Sequence, residues 1–103
     1  MSYTATEELQ DEVLRYVGYS KDCSADIKKN VDDFIRDGIY KLDDIAGIEV
    51  DYDTDRAARS LLKDYCRYAN SHATEYFEEN FKSSLSALHF NYRVKEFQKN
   101  EAT

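Results

Sequence analysis

Arg56-Ala-Ala-Arg-Ser-Leu-Leu-Lys-Asp-Tyr-Cys-Arg-Tyr-Ala-Asn70 is the stretch on which the fold turns. Its apolar residues Ala58, Leu61, Leu62, Tyr65, Cys66 and Ala69 recur every three or four positions, the spacing that lines one side of an α-helix. Its cations Arg56, Arg59, Lys63 and Arg67 recur at the same spacing and form a basic stripe on another side. A strand would alternate every second residue, and this stretch does not. Asp53 or Thr54 is the expected N-cap. A helix is therefore predicted over 54–71, ended by the polar break Asn70-Ser71-His72.

The same reasoning extends outwards. Before it, Ile27, Val31, Phe34, Ile35, Ile39 and Leu42 predict a helix over 24–44, with Ser24 as its N-cap and Asp26 in the first turn, where the helix dipole favours an acid. Lys28/Asp32, Asp32/Arg36 and Asp37/Lys41 stand four apart, the spacing of surface ion pairs. Gly38 lies inside this helix at a cost of about 1 kcal/mol relative to Ala; a close helix crossing and simple tolerance both account for it. Leu9, Val13, Leu14 and Tyr16 or Val17 predict a helix over 6–17, opened by a Thr4/Glu7 capping box or by Thr6, and stopped at Gly18. Asp43 to Asp53 reads as a connection in which Ile48, Val50 and Tyr52 alternate with acids.

After the central stretch, Phe77, Phe81, Leu85, Leu88 and Tyr92 predict one long helix over 74–97, its apolar surface extended by Phe90, Val94 and Phe97. Residues 98–103 read as a frayed tail. The chain has no Pro and only three Gly, which favours long helices over a hairpin-rich sheet. The expected fold is all-α: one domain over 1–103, a small bundle of about four helices with a long second helix and a long C-terminal helix.

The charge is uneven. Residues 1–55 carry 15 acids and 6 bases, and residues 56–103 carry 6 acids and 8 bases, so a net −9 half precedes a net +2 half. A total of −7 argues against binding to nucleic acid or to an anionic membrane surface, both of which need a basic footprint. Nine Tyr and no Trp fit two roles: surfaces buried on assembly, or a small core with hydroxyls at its edge. Cys23 and Cys66 form no CxxC pattern, and each reads as a small buried hydrophobe in a reducing compartment. The opening MSYTATEELQDEV has neither a basic start nor an apolar run, so no secretory leader is expected.

Catalytic motifs are not found. Asp51-Tyr-Asp53-Thr-Asp55 opens like a calcium loop, but the sixth position is Arg56 instead of Gly and the twelfth is Leu62 instead of Glu. A capping cluster is the better account. Glu75, Glu78 and Glu79, with Asp32, Asp33 and Asp37, are the residues a magnesium-dependent helical nucleotide pyrophosphohydrolase would need, although acids gather at helix starts for other reasons. His72 and His89 match no zinc spacing. Neither metal, cofactor nor enzymatic activity is expected.

Several segments resemble the head–tail connector proteins of tailed bacteriophages. They are the short first helix, the long second helix with Ile27, Val31, Phe34 and Ile35, the linker through Gly47, Arg56 to Tyr68, and Tyr76-Phe-Glu-Glu-Asn-Phe-Lys-Ser-Ser-Leu-Ser-Ala-Leu88 leading to Tyr92-Arg93-Val94. The resemblance covers about residues 5–97. It implies a virion adaptor made in the host cytoplasm that forms a ring, usually twelve-fold, under the portal protein. Such a ring extends the DNA channel without reading the DNA and docks the next head-completion or tail protein. A ring needs two unlike faces. The stripe Arg56, Arg59, Lys63 and Arg67 of one copy, meeting Asp32, Asp33 and Asp37 of its neighbour, would supply them. Tyr92 and Phe97 are the expected docking aromatics. The competing reading is an acidic helical inhibitor that mimics DNA, against which the net +2 half stands.

Overall fold

Each of the three N-terminal helices begins where a short polar side chain replaces a missing backbone partner. The Leu9 amide donates to Thr6 Oγ1 at 3.1 Å, that of Ile27 to Ser24 Oγ at 3.3 Å, and that of Ala58 to Asp55 Oδ1 at 3.0 Å. The computed structural model describes residues 5–102, with side chains over 5–98; Thr4 and its capping box lie outside them. The helices are α1 (Glu7–Tyr16), α2 (Ala25–Ala46), α3 (Arg56–Asn70), α4 (Phe77–Asn80) and α5 (Lys82–Ala102), with a 3-10 turn at Thr74–Tyr76. The all-α class is as expected, and no strand occurs among the described residues. The cap of α3 is Asp55 rather than Asp53 or Thr54, because Asp51 takes those residues into a turn. Its carboxylate accepts from the Asp53 amide at 2.9 Å, and its carbonyl from the amides of Thr54 and Asp55.

The core forms where α2 and α3 cross. Val31, Ile35, Leu42 and Leu62 are all but fully buried there. Gly38 marks the point of closest approach. A Cβ at that position would stand 2.6 Å from Leu62 Cδ1 and 2.9 Å from the Tyr65 ring, so the crossing, not tolerance, accounts for it. α1 lies across both helices through Leu9, Val13 and Leu14.

The connection after α2 joins no sheet among the described residues. Gly47 ends the helix at φ +75, in the left-handed region that glycine occupies without strain. Val50 and Tyr52 then point inwards while Ile48 points out. Asp43 holds this segment to α2, accepting from the Val50 amide at 3.1 Å and the Tyr52 hydroxyl at 2.7 Å.

The predicted single helix over 74–97 is three pieces. Phe81, at φ −113 and ψ 20, breaks it between α4 and α5. The reason lies in the aromatic packing. Phe77 is fully buried between Tyr65 and Tyr68 of α3, with ring centroids at 5.3 and 5.8 Å, and Phe81 stacks on it at 5.0 Å. Those contacts fix the turn and α4 against α3, while Leu85 and Leu88 bury α5 against α2. One straight helix cannot serve both neighbours. α5 is helical to Ala102, past the point where fraying was expected.

α3 ends without glycine. His72 takes the left-handed conformation at φ +56, and the Ala73 amide donates back to the Tyr68 carbonyl at 2.9 Å, as in a Schellman end. Cys66 is buried and free and Cys23 half-buried and free. Burial, with Asp37 nearby, pushes the Cys66 thiol up to about 12, consistent with an inert packing residue. No helix among the described residues is long and apolar enough to cross a membrane.

Candidate functional site

The basic stripe of α3 does not face outwards along its whole length. Arg59 and Lys63 are 17% and 22% exposed and close on Glu12 of α1. Arg59 donates to Glu12 Oε2 at 2.5 Å from Nη2 and 2.9 Å from Nε, and Lys63 Nζ donates to Oε1 at 3.0 Å. Arg59 also reaches the Tyr52 carbonyl at 3.1 Å and Asp53 at 3.3 Å. The bonds from Arg59, joined by Lys63, hold the Glu12 carboxyl below its usual range against the opposing effect of burial. These two cations therefore fasten α1 to α3 within the chain. Arg56 and Arg67 at the ends of the stripe are exposed; Arg67 reaches Asp64 of its own helix at 3.5 Å.

The acids of α2 are also placed differently from expectation. Asp33 pairs with Arg36 at 3.6 Å. Asp32 is half-buried, and its carboxyl is raised by burial, with Asp33 adding to the shift and Arg36 opposing it. Lys41 reaches across to Glu78 of α4 rather than back to Asp37. That pairing also takes Glu78 out of the nominal acidic cluster. Among the described residues no group of three or more His, Cys, Asp or Glu could hold a metal ion.

The Asp51–Asp55 loop is a capping cluster. Asp55 accepts from Ala58 on one oxygen and from the Tyr92 hydroxyl on the other, at 2.6 Å. Burial alone would raise this carboxyl; the Tyr92 hydroxyl and the Ala58 and Ala57 amides outweigh it and hold the group low. Tyr92 is thus half-buried and bonded within its own chain, with the Lys95 ammonium 4.7 Å from its ring centre. Several other tyrosines do the same. Tyr16 donates to Asp64, Tyr19 to Asn70 and Tyr52 to Asp43, and Tyr68 accepts from Asn80. The core-edge role of Tyr holds for Tyr19, Tyr52, Tyr68 and Tyr92; among the described residues Tyr16, Tyr40 and Tyr76 are exposed.

Among the described residues, apolar surface is left outside the core in several places. The first is on α5. Leu85, Leu88 and Tyr92 form its inner side. Ala87, Phe90, Val94 and Phe97, spaced three, four and three apart, form a second seam on the opposite side. Phe90 and Phe97 are 65% and 67% exposed. The second surface is a concavity of about 430 Å³ beside the C-terminal half of α2, lined by Tyr40, Ile48, Asp43, Asp44 and Glu49 among others. A wider cleft of about 1010 Å³ opens between α3 and α5, because α5 leans on α2 and leaves Leu61 and Phe81 at its floor.

Of the two expected docking aromatics, Phe97 is exposed and Tyr92 is half-buried and bonded to Asp55. Sequence reasoning missed the Tyr40–Ile48 surface, although Tyr40 falls outside the apolar stripe of α2 and was legible on that ground. No family model, curated protein or solved structure matches the chain.

Proposed function

We propose that this protein acts by assembly, as a connector subunit at the head–tail junction of a tailed bacteriophage. Copies form a ring under the portal, extend the DNA channel and dock the next head-completion or tail protein. The observation that carries the assembly reading is the outward seam of α5. A chain of this size gains by burying aromatics, yet Phe90 and Phe97 stand on solvent while the core closes without them. Exposed aromatics in a row are the usual mark of an interface. The connector identity is supported by the sequence resemblance over residues 5–97, and by a helical body in which a long C-terminal helix carries that seam.

The acidic balance fits the role. A lumen lined by net-negative copies repels passing DNA instead of holding it. A DNA mimic is less well supported, because mimicry needs acids spread over one continuous surface. Here Glu12 is tied to Arg59 and Lys63, and Asp43 and Asp55 are bound to tyrosines.

The test is direct. The purified protein is mixed with a portal ring, and the mixture is imaged by electron microscopy. Added density at the tail-facing side of the portal is the expected result. Portals without added density at micromolar protein would overturn the connector assignment.

A further inference from the structure

We propose that the concavity beside the C-terminal half of α2 docks a basic segment of another protein. An apolar side chain of that segment seats between Tyr40 and Ile48, and a Lys or Arg next to it meets Asp44 and the negative end of α2. The concavity shares no lining residue with the cleft beside α5, and the contact needs no ring to form.

The floor of the concavity is apolar. Ile39 lies at its base, and Tyr40 and Ile48 stand 80% and 50% exposed beside it. Tyr52 and Tyr92 give their hydroxyls to Asp43 and Asp55, whereas Tyr40 engages no other described residue through its hydroxyl or its ring.

The charges around that floor select the occupant. The last turn of α2 holds Asp43 and Asp44 and no base, although the helix dipole favours cations there. Asp43 is accounted for within the chain by the Val50 amide and the Tyr52 hydroxyl. Asp44 is exposed and makes no hydrogen bond or ion pair with another described residue, so it works against the helix that carries it. Asp37, also exposed, and Asp44 stand three before and four after Tyr40, on one side of the helix. Arg36, the cation at the rim, is taken by Asp33 at 3.6 Å. Glu49 adds a carboxylate from the connection after α2, and the face of an exposed Tyr ring itself attracts cations. A negative potential thus lies over an apolar floor, which an apolar side chain flanked by Lys or Arg matches and an acidic partner does not. Apolar contact supplies the affinity; the charges set orientation and rate of encounter. An acid that weakens its own helix and closes no internal contact is the mark of stability given up for binding.

The probe is the peptide acetyl-Ser-Arg-Leu-Leu-Arg-Ser-amide, titrated into the isotope-labelled full chain and followed by amide chemical shifts. Shifts confined to residues 36–49, half-saturating at about 1 mM peptide or below, are the expected result. Shifts that fail to saturate in that range, or that spread over acidic residues all around the molecule, overturn the proposal. Replacing both Leu of the peptide by Ser keeps its charge, and replacing both Arg by Glu keeps its apolar part; each change weakens binding at least about tenfold. Equal binding of the Ser peptide, or of spermidine, would mean that the surface attracts any cation, and overturns docking. The same shifts on concentrating the protein alone would make a second copy the occupant and overturn it too. On the protein side, Tyr40→Ser/Ile48→Ser abolishes saturable binding with helicity unchanged by circular dichroism. Asp44→Asn weakens binding about threefold, the range of a rim ion pair, whereas Asp22→Asn, exposed before the other end of α2, leaves it unchanged. Asp44→Lys separates docking from folding: it weakens binding further yet raises the urea midpoint of the free chain, because a cation suits a helix C-terminus. A lowered midpoint would assign Asp44 to the fold and overturn its docking role. No portal enters these measurements, so they stand whatever microscopy of portal mixtures shows.

Discussion

α3 and α5 are both long helices carrying apolar residues and cations, yet they dispose of them in opposite ways. α3 has one apolar face, and α2 and Phe77 cover it. The middle of its basic stripe is closed by Glu12 of the same chain. α5 has two apolar faces and α2 covers only one of them, so the Phe90–Phe97 seam is left over. The difference shows that a stripe read from sequence says which residues share a face, not what lies against it. The more conspicuous charge pattern turned out to be internal cement. The less regular apolar pattern carries the open surface.

The strongest way to break this contrast is at the aromatic joint that makes α3 a buried helix. Phe77 is fully buried among Tyr65, Tyr68 and Phe81. Phe77→Ala empties that site and is expected to remove about 3–5 kcal/mol of stability, measured by urea denaturation. Loss of less than about 1 kcal/mol would mean that α4 is not fastened to α3 as described.

Gly38→Ala tests the crossing of α2 with α3. Alanine gains about 1 kcal/mol of helix propensity. Against that, its methyl would meet Leu62 and Tyr65 below contact distance, and overpacking of a buried site costs about 1–3 kcal/mol. Leu62 is fully buried and has little room to yield, so a net loss of about 1–2 kcal/mol is expected. A gain would place the two helices further apart than described.

Much of this was legible in the sequence and some was not, for identifiable reasons. Helical periodicity located α1, α2 and α3 within a few residues, because each has one apolar side and a short polar cap. It missed the break at Phe81, since Phe77, Phe81 and Leu85 keep helical spacing through it. Only the competing claims of Tyr65 and Tyr68 on one side and of α2 on the other force the kink. It assigned Arg59 and Lys63 to an intersubunit role because Glu12 lies 47 and 51 residues away, and no local rule links residues so far apart. The Tyr92 hydroxyl found Asp55 at a separation of 37 residues, with the same result.

Glu12→Gln sharpens the electrostatic half of the comparison. The amide keeps the shape but removes the charge that Arg59 and Lys63 share, leaving Arg59 its contact with Asp53 at 3.3 Å. A loss of about 1 kcal/mol is expected at pH 7, between the values for exposed and buried pairs. The pH dependence has a definite sign. The Glu12 carboxyl lies below its ordinary 4.5 in the folded chain. Its contribution is therefore fully present above the unfolded value and is lost as pH falls through the folded one. The gap between wild type and variant should close as pH drops below about 4.5. A gap that persists well into acid would trace the effect to packing instead of charge.

The smallest expected effect makes the sharpest contrast, because it concerns the same residue type as the largest. Phe97→Ala removes as many atoms as Phe77→Ala, but from a side chain that is 67% exposed rather than fully buried. Little of its surface is withdrawn from water on folding, so truncation leaves no cavity and forfeits little transfer free energy. Alanine is also the better helix former, by up to about 0.7 kcal/mol, which offsets what contact is lost. At micromolar protein the variant should unfold within about 0.5 kcal/mol of wild type, in either direction. Repeating the measurement at several protein concentrations separates the two roles a phenylalanine can have here. If the seam belongs to assembly, the wild type gains stability as concentration rises, by mass action on the folded state, and Phe97→Ala does not. If Phe97 is needed by its own monomer, the variant is destabilised by a constant amount at every concentration.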